Sequence, residues 1–240
     1  MGSDCVPDLA YVLNGSVFTK HYEPVPNDQA AEYLFRDQEQ VIFKRNGSGR
    51  GRGIWKIRRT DFERVNVALL PAGTVQQIVK PHPAFDRLLP ETGPTLRVFT
   101  VREPGGHISV RATYLRVSRA AVDHVIPLEG ININIDLSSG KLLDHGYDYE
   151  FRPLVAHPDT GFVFQGFQIP HFHEVIQTLV RFHESFKIAG IIGWDACVDA
   201  DGKMQLFEWN LLCDATRFPE TTSGPSYRGL GWEDLWKQQR

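Results

Sequence analysis

The sequence predicts an α+β protein of two lobes built on mainly antiparallel sheets. Two glycine turns, Pro104-Gly105-Gly106 and Asp201-Gly202, each separate a pair of β-rich runs, and glycine supplies the positive φ that a tight turn requires. A glycine-rich loop at 46–53 joins two further short runs of the same kind. Only residues 170–186 carry the apolar period of a long helix, through Phe172, Val175, Ile176, Leu179, Val180 and His183. A chain of 240 residues, 42% of them hydrophobic, can bury one large core or two smaller ones around a cleft.

The elements follow in order along the chain. Residues 1–39 form a lead-in segment with an apolar stretch broken at Asn14-Gly15, and Asp28 is placed to cap a helix running to Arg36. Residues 40–80 read as a small lobe: strand 40–45, loop 46–53, strand 54–57, helix 61–70 and strand 74–79. The larger lobe is expected over 81–226, with strands on either side of the 104–106 turn, a short strand at 131–137, the helix at 170–186 and strands at 189–198 and 204–209. Trp232 and Trp236, spaced i, i+4, mark a tail helix within 227–240.

Composition excludes several function classes. A formal net charge of -3 lacks the positive excess of a general nucleic-acid or anionic-membrane binder. Cys5, Cys197 and Cys213 are too few and too widely spaced for a disulfide framework or a CxxC metal knuckle, so a reducing cytoplasm is the expected compartment. The start has no signal-peptide pattern, and no run of about 18 apolar residues would span a membrane.

The segment IIGWDACVDADGKMQLFEWNLL carries the most chemistry. If Asp201 and Gly202 are the whole turn, opposed residue numbers sum to that of the turn pair and Asp195 faces Glu208. Asn210, two residues on, shares their face because strand side chains alternate. Directly opposed carboxylates repel at a Cβ separation of roughly 4.5–5.5 Å and need compensation. A divalent cation would supply it, and two carboxylates with an amide oxygen suit hard Mg²⁺ better than zinc; the alternative is an edge hairpin carrying ordinary exposed acids.

In QVIFKRNGSGRGRGIWKI, Lys44 ends a strand and glycines stand at 47, 49, 51 and 53. Backbone N–H groups of such a loop can lie against phosphate oxygens while the lysine adds a positive charge. The Gly-Lys-Ser/Thr ending of a P-loop is missing. Seven Lys or Arg and no acid over 44–59 also fit an arginine-glycine RNA-binding loop or a solvated turn. The run Val75-Gln76-Gln77-Ile78-Val79 is placed to meet an adenine, or is an ordinary core strand.

Taken together, the order of Lys44, glycine loop, strand and Asp-x12-Glu-x-Asn resembles the ATP-grasp superfamily. TLRVFTV, LRVS at 115–118, VDH at 122–124, IDLSSGKL, HPDTG at 157–161 and GWDACVDADGKMQLFEWN resemble its sugar-transfer-associated group, related to glutamate ligases. The resemblance implies an ATP-grasp fold with ATP clasped between the lobes. It makes Lys44, Asn46, Gly47, Ser48, Gly49 and Gly51 phosphate-binding, and Gln76, Gln77, Ile78 and Val79 adenine-binding. Asp195, Glu208 and Asn210 become ligands of Mg²⁺, and Arg97 and Arg116 become catalytic cations near the γ-phosphate and acceptor. Two departures stand out. Only about 40 residues precede Lys44, so the usual N-terminal α/β domain is expected to be absent or truncated, and Asp123-His124 and Glu129-Gly130 stand where relatives have Asp-Asn and Gly-Gly.

The activity implied is that of a carboxylate–amine ligase working through an acyl-phosphate in polysaccharide or natural-product biosynthesis. Its substrates would be an amino acid, peptide or sugar acid with an amine, and a homodimer is one expected assembly. A kinase acting on a hydroxyl or sugar, and a non-catalytic nucleotide-binding protein, have the same metal and lysine constellation.

Overall fold

The computed structural model describes residues 5–48, 53–62, 64–88, 93–119, 130–211, 216–232 and 237. The chain divides into two compact units, one over Val6–Val79 and the other from Lys80 onward together with Cys5.

The smaller unit is a six-stranded antiparallel sheet. Its elements are β1 (Asp8–Leu13), β2 (Ser16–Thr19), β3 (Pro24–Val25), α1 (Ala30–Leu34), β4 (Gln40–Arg45), β5 (Ile54–Arg58), α2 (Arg59–Phe62) and β6 (Gly73–Gln77), with strand order β3-β2-β1-β6-β4-β5. The expected lead-in segment therefore supplies half of these strands. Asn14 (φ 50°) and Gly15 (φ 73°) form a two-residue turn with positive φ at both positions, which folds β2 onto β1, and β1 then pairs with β6. One face of the sheet buries Ala10, Val12, Val41, Phe43 and Val75 with Leu34 and Phe35. Strand alternation puts Ile42, Lys44, Thr74 and Gln76 on the other.

Two helix expectations fail here. Asp28 does not cap α1, whose N-cap is Gln29 without a side-chain bond, and the helix ends at Leu34. The helix expected over 61–70 is replaced by α2 and a 3₁₀ turn at Val67–Leu69, because the Asn66 side chain accepts from the Ala68 N–H and closes a local turn.

The larger unit is a seven-stranded antiparallel sheet backed by one long helix. Its elements are β7 (Thr95–Arg102), β8 (Ile108–Val117), β9 (Ile131–Ile135), β10 (Leu142–Tyr147), β11 (Pro153–Leu154), α3 (Phe172–Ser185), β12 (Ile191–Val198), β13 (Met204–Asn210) and α4 (Arg217–Ser223). Strand order is β11-β10-β9-β8-β7-β12-β13. The turn at Gly105 (φ 99°) and Gly106 (φ 92°) joins β7 to β8 as the sequence predicts. Leu96, Val98, Leu115, Ile192, Trp194, Ala196 and Leu206 form one core with Phe172, Val175 and Leu179 of α3. The tail helix expected around Trp236 falls largely outside the described residues, although the Trp232 ring stacks on Tyr227 at 5.5 Å. No helix among the described residues is long and apolar enough to cross a membrane.

A buried polar chain pins α3 to the sheet. His183 Nε2 lies 2.9 Å from the Ala189 carbonyl, so that nitrogen carries the proton, and Nδ1 accepts from the Thr100 hydroxyl at 2.7 Å. Thr100 Oγ1 in turn accepts from Trp194 Nε1 at 2.7 Å. Burial pushes the His183 pKa below its usual 6.5; the bond to Ala189 opposes the shift and the Arg102 charge reinforces it. A depressed histidine pKa means that the unfolded chain binds the proton more readily. Its contribution to stability is full above about 6.5 and is lost as pH falls through that value toward the folded pKa. The urea midpoint of the parent chain is expected to fall more steeply between pH 7 and pH 5 than that of His183→Gln. Equal slopes would refute the assignment.

Candidate functional site

The site in the larger unit begins with the register of β12 and β13. Asp195 opposes Glu208 as expected, but by a route the turn arithmetic did not contain. The turn is one residue longer than Asp201-Gly202: Val198 pairs with Met204, and Asp199 Oδ1 accepts from the N–H groups of Asp201 and Lys203 at 3.0 and 2.8 Å. Gly202 completes it at φ 78°. A β-bulge between Asp195 and Ala196 then inserts Phe207 as an extra residue. The two offsets cancel at Asp195. The bulge also separates the faces, keeping Leu206 in the core while Glu208 and Asn210 stand on the opposite side, which is how bulges re-aim side chains.

That opposite side carries a polar row across five strands. Glu208 on β13 faces Asp195 on β12, Asp195 faces Arg97 on β7, Arg97 faces Tyr114 on β8, and Tyr114 faces Asn134 on β9. Arg116 is two residues beyond Tyr114 on the same face, opposite Asn132. Arg97 grips Asp195 through Nε to Oδ1 and through its second nitrogen to Oδ2 at 2.7 Å. Arg116 stands 3.7 Å from Oδ2. Asp195 and Arg97 are only 4% and 5% exposed. Burial pushes the Asp195 carboxyl up, but the charges of Arg97 and Arg116 and the hydrogen bonds from Arg97 outweigh it and hold the group below the usual carboxylate range. Burial works against the Arg97 charge in the same way, and Asp195 restores it.

Glu208 is exposed on the edge strand, and its Oε1 accepts from Asn210 Nδ2 at 3.2 Å. With the amide nitrogen as donor, the Asn210 amide oxygen is the atom suited to a cation. A carboxylate and an amide oxygen on an exposed strand end fit a hard ion such as Mg²⁺. Among the described residues no group of three His, Cys, Asp or Glu side chains could hold a metal. The far end of the row is covered by α4. Phe218 packs on Phe99, Ala112 and Tyr114, and Asn134 Nδ2 donates to Thr222 Oγ1 at 2.8 Å. Cys197 shares this face but is inert as a thiolate, since burial, with Asp199, pushes its thiol up to about 12.

The remaining predicted residues lie in the smaller unit. Lys44, the penultimate residue of β4, stands opposite Thr74 and Ile54. Asn46 N–H donates to the Ala72 carbonyl, Gly47 has φ 67°, and the Ser48 hydroxyl donates to the Arg45 carbonyl at 2.5 Å. Gly49 and Gly51 lie outside the described residues. The expected 74–79 strand ends at Gln77, because β6 lies between β1 and β4 and its last ladder pairs involve Gln76 and Gln77. Gln76 shares the face of Lys44, and its side-chain amide donates to Asp8 at 2.7 Å. Ile78 and Val79 follow beyond the strand. Tyr114, Asn134 and Asp8 were missed as members of these networks.

Two antiparallel sheets, one carrying this carboxylate and guanidinium face, define an α+β protein of the ATP-grasp fold. Residues 71–228 match the family described as sugar-transfer-associated ATP-grasp, more than half of the chain, and the chain belongs to that family. No curated protein matches it. The fold is similar to that of the ATP-grasp ligase PsnB complexed with a phosphomimetic variant of its minimal precursor, Mg and ADP (14% identity, 98% of this chain and 55% of that one, TM-score 0.50). It is also similar to that of a biotin carboxylase–β-γ-ATP complex from Campylobacter jejuni (13% identity, 82% and 37%, TM-score 0.51). The chain thus spans about half the length of these structures or less.

Proposed function

We propose that this chain is the nucleotide-binding part of an ATP-dependent ligase joining a carboxylate to an amine, the acid being an amino acid, a peptide or a sugar acid. The observation that carries the proposal is the row Glu208, Asp195, Arg97 with Arg116 beside it. It puts fixed cations next to exposed oxygen ligands on one sheet face, as phosphoryl transfer needs. Glu208 and Asn210 would hold Mg²⁺, with Asp195 next to them; when bound, the ion neutralises phosphate charge. In the smaller unit, Lys44 and the loop of Asn46, Gly47, Ser48, Gly49 and Gly51 would bind phosphates, and Gln76 to Val79 the adenine.

The chemistry requires no side-chain nucleophile. An acid oxygen bonds to the γ-phosphorus as the bond to ADP breaks, and ADP keeps the electron pair. The amine nitrogen then bonds to the acyl carbon, phosphate departs with its bonding electrons, and the nitrogen loses a proton. Arg116 would orient and balance the negative charge on the transferring group, and Arg97 would hold Asp195, and through it Arg116, in place.

The test is calorimetric titration with ATP, with and without Mg²⁺, for the parent chain and Glu208→Ala. Binding is expected to need Mg²⁺ and to weaken at least about tenfold, about 1.4 kcal/mol, in the variant. ATP binding by a folded parent chain that ignores both Mg²⁺ and Glu208 would rule the proposal out. Phosphate release that depends on an amine separates the ligase from a kinase.

A further inference from the structure

Opposed carboxylates on β12 and β13 need a compensating positive charge, and the sheet already contains one. Arg97, directly across β12 from Glu208, occupies both oxygens of Asp195 with the planar fork of its guanidinium. Arg116 adds a second positive charge 3.7 Å from Oδ2. A divalent ion on Asp195 would sit beside two guanidinium charges that already more than balance this carboxylate. Reaching it would also require opening a pair that is almost fully enclosed, and separating a buried pair strands an unpaired charge. Gly193, on the same face of β12, borders the arginine and Phe99: a Cβ there would stand 3.2 Å from Phe99 Cε1 and 3.6 Å from the guanidinium.

Arg116 differs from Arg97 in exposure. Its side chain is 22% exposed, against 6% for Arg97. It is fixed from two directions, by Asp195 and by the Tyr114 ring, whose centroid is 5.6 Å from Cζ. Tyr114 OH also accepts from it at 3.4 Å.

We infer that Asp195 is a positioning residue, the buried anchor that is locked by Arg97 and orients Arg116 toward the transferring phosphoryl group, and that the divalent ion is held by Glu208 and Asn210 without it. The inference rests on the Mg-ATP proposal above.

The experiment compares Asp195→Asn, Arg97→Met, their double variant and Glu208→Gln in the whole chain. Mn²⁺ serves as the probe ion, and its half-saturating concentration for ATP binding is read by electron paramagnetic resonance. Glu208→Gln is expected to raise that concentration at least tenfold and Asp195→Asn less than threefold. In a second titration with Mg²⁺ and ADP, Asp195→Asn is expected to bind ADP within threefold of the parent. It should lose at least tenfold of the extra affinity that fluoroaluminate, a mimic of the transferring group, confers. A merely structural role for Asp195 would leave that gain intact and overturn the assignment. Each single variant of the pair should lower the urea midpoint, and the double variant should recover most of the loss. If Asp195→Asn does not fold, the double variant carries the Mn²⁺ titration, with the same threefold limit.

Asp195→Asn or the double variant matching the tenfold loss of Glu208→Gln would overturn the assignment while leaving the Mg-ATP proposal standing. No Mn²⁺-dependent ATP binding by the folded parent chain would overturn both.

Discussion

Trp194→Ala is expected to remove about 3–5 kcal/mol from the larger unit, the largest stability loss of any single side chain in its core. Trp194 is 0% exposed at the centre of β12, with Phe182 of α3 at 6.4 Å and the Trp209 ring stacked at 6.1 Å. Truncation leaves a cavity that β12 cannot close, since the strand is paired on both sides, and it removes the donor to Thr100. Set against a typical domain stability of about 5–15 kcal/mol, the loss is about a fifth of the total or more. Trp194→Phe separates the two effects: it keeps most of the packing, and loss of the indole donor should cost about 0.5–1.5 kcal/mol. Circular dichroism during urea unfolding measures both. An alanine variant within about 1 kcal/mol of the parent would show that the unit repacks around the site.

The same strand shows what could be read from the sequence. Alternation along IIGWDACV and the Asp201-Gly202 signal are local, and they name Asp195 and Glu208 as partners, but the turn that forms would by itself put Asp195 opposite Phe207, and only the bulge restores Glu208. The longer turn depends on the Asp199 side chain, and the bulge at Phe207 reconciles a core-facing Leu206 with an outward Glu208. Neither leaves a mark in the alternation itself. Arg97 was legible as a candidate cation, but its grip on Asp195 depends on β7 lying next to β12, residues 98 apart in sequence, and no local pattern encodes that neighbour. The apolar stretch broken at Asn14-Gly15 is visible, but that it forms strands paired to β6 depends on a neighbour distant in sequence, while Leu142–Tyr147 is polar and glycine-containing. The charge argument calls for a cation beside the acidic pair, and the sheet puts Arg97 and Arg116 there, on strands that no local pattern joins to β12.

Arg116→Ala is expected to lower ATP turnover about 10²–10³-fold, with whichever acid and amine support it in the parent, the cost typical of removing one preorganised charge stabiliser. Mg-ATP affinity should stay within about threefold. The split follows from geometry. Arg97 cannot substitute, because its fork is committed to Asp195 inside the sheet, whereas Arg116 is partly exposed and held at the surface by Asp195 and Tyr114. Arg116→Lys restores the charge but not the planar fork, so it should recover only part of the loss. Stopped-turnover assays of phosphate release, paired with calorimetry on the same preparations, provide the two readouts. A fall in turnover matched by an equal fall in ATP affinity would make Arg116 a nucleotide-binding residue instead. Parental turnover in Arg116→Ala would shift the charge-balancing role to Arg97, and with it the requirement that the Asp195 pair open during the reaction.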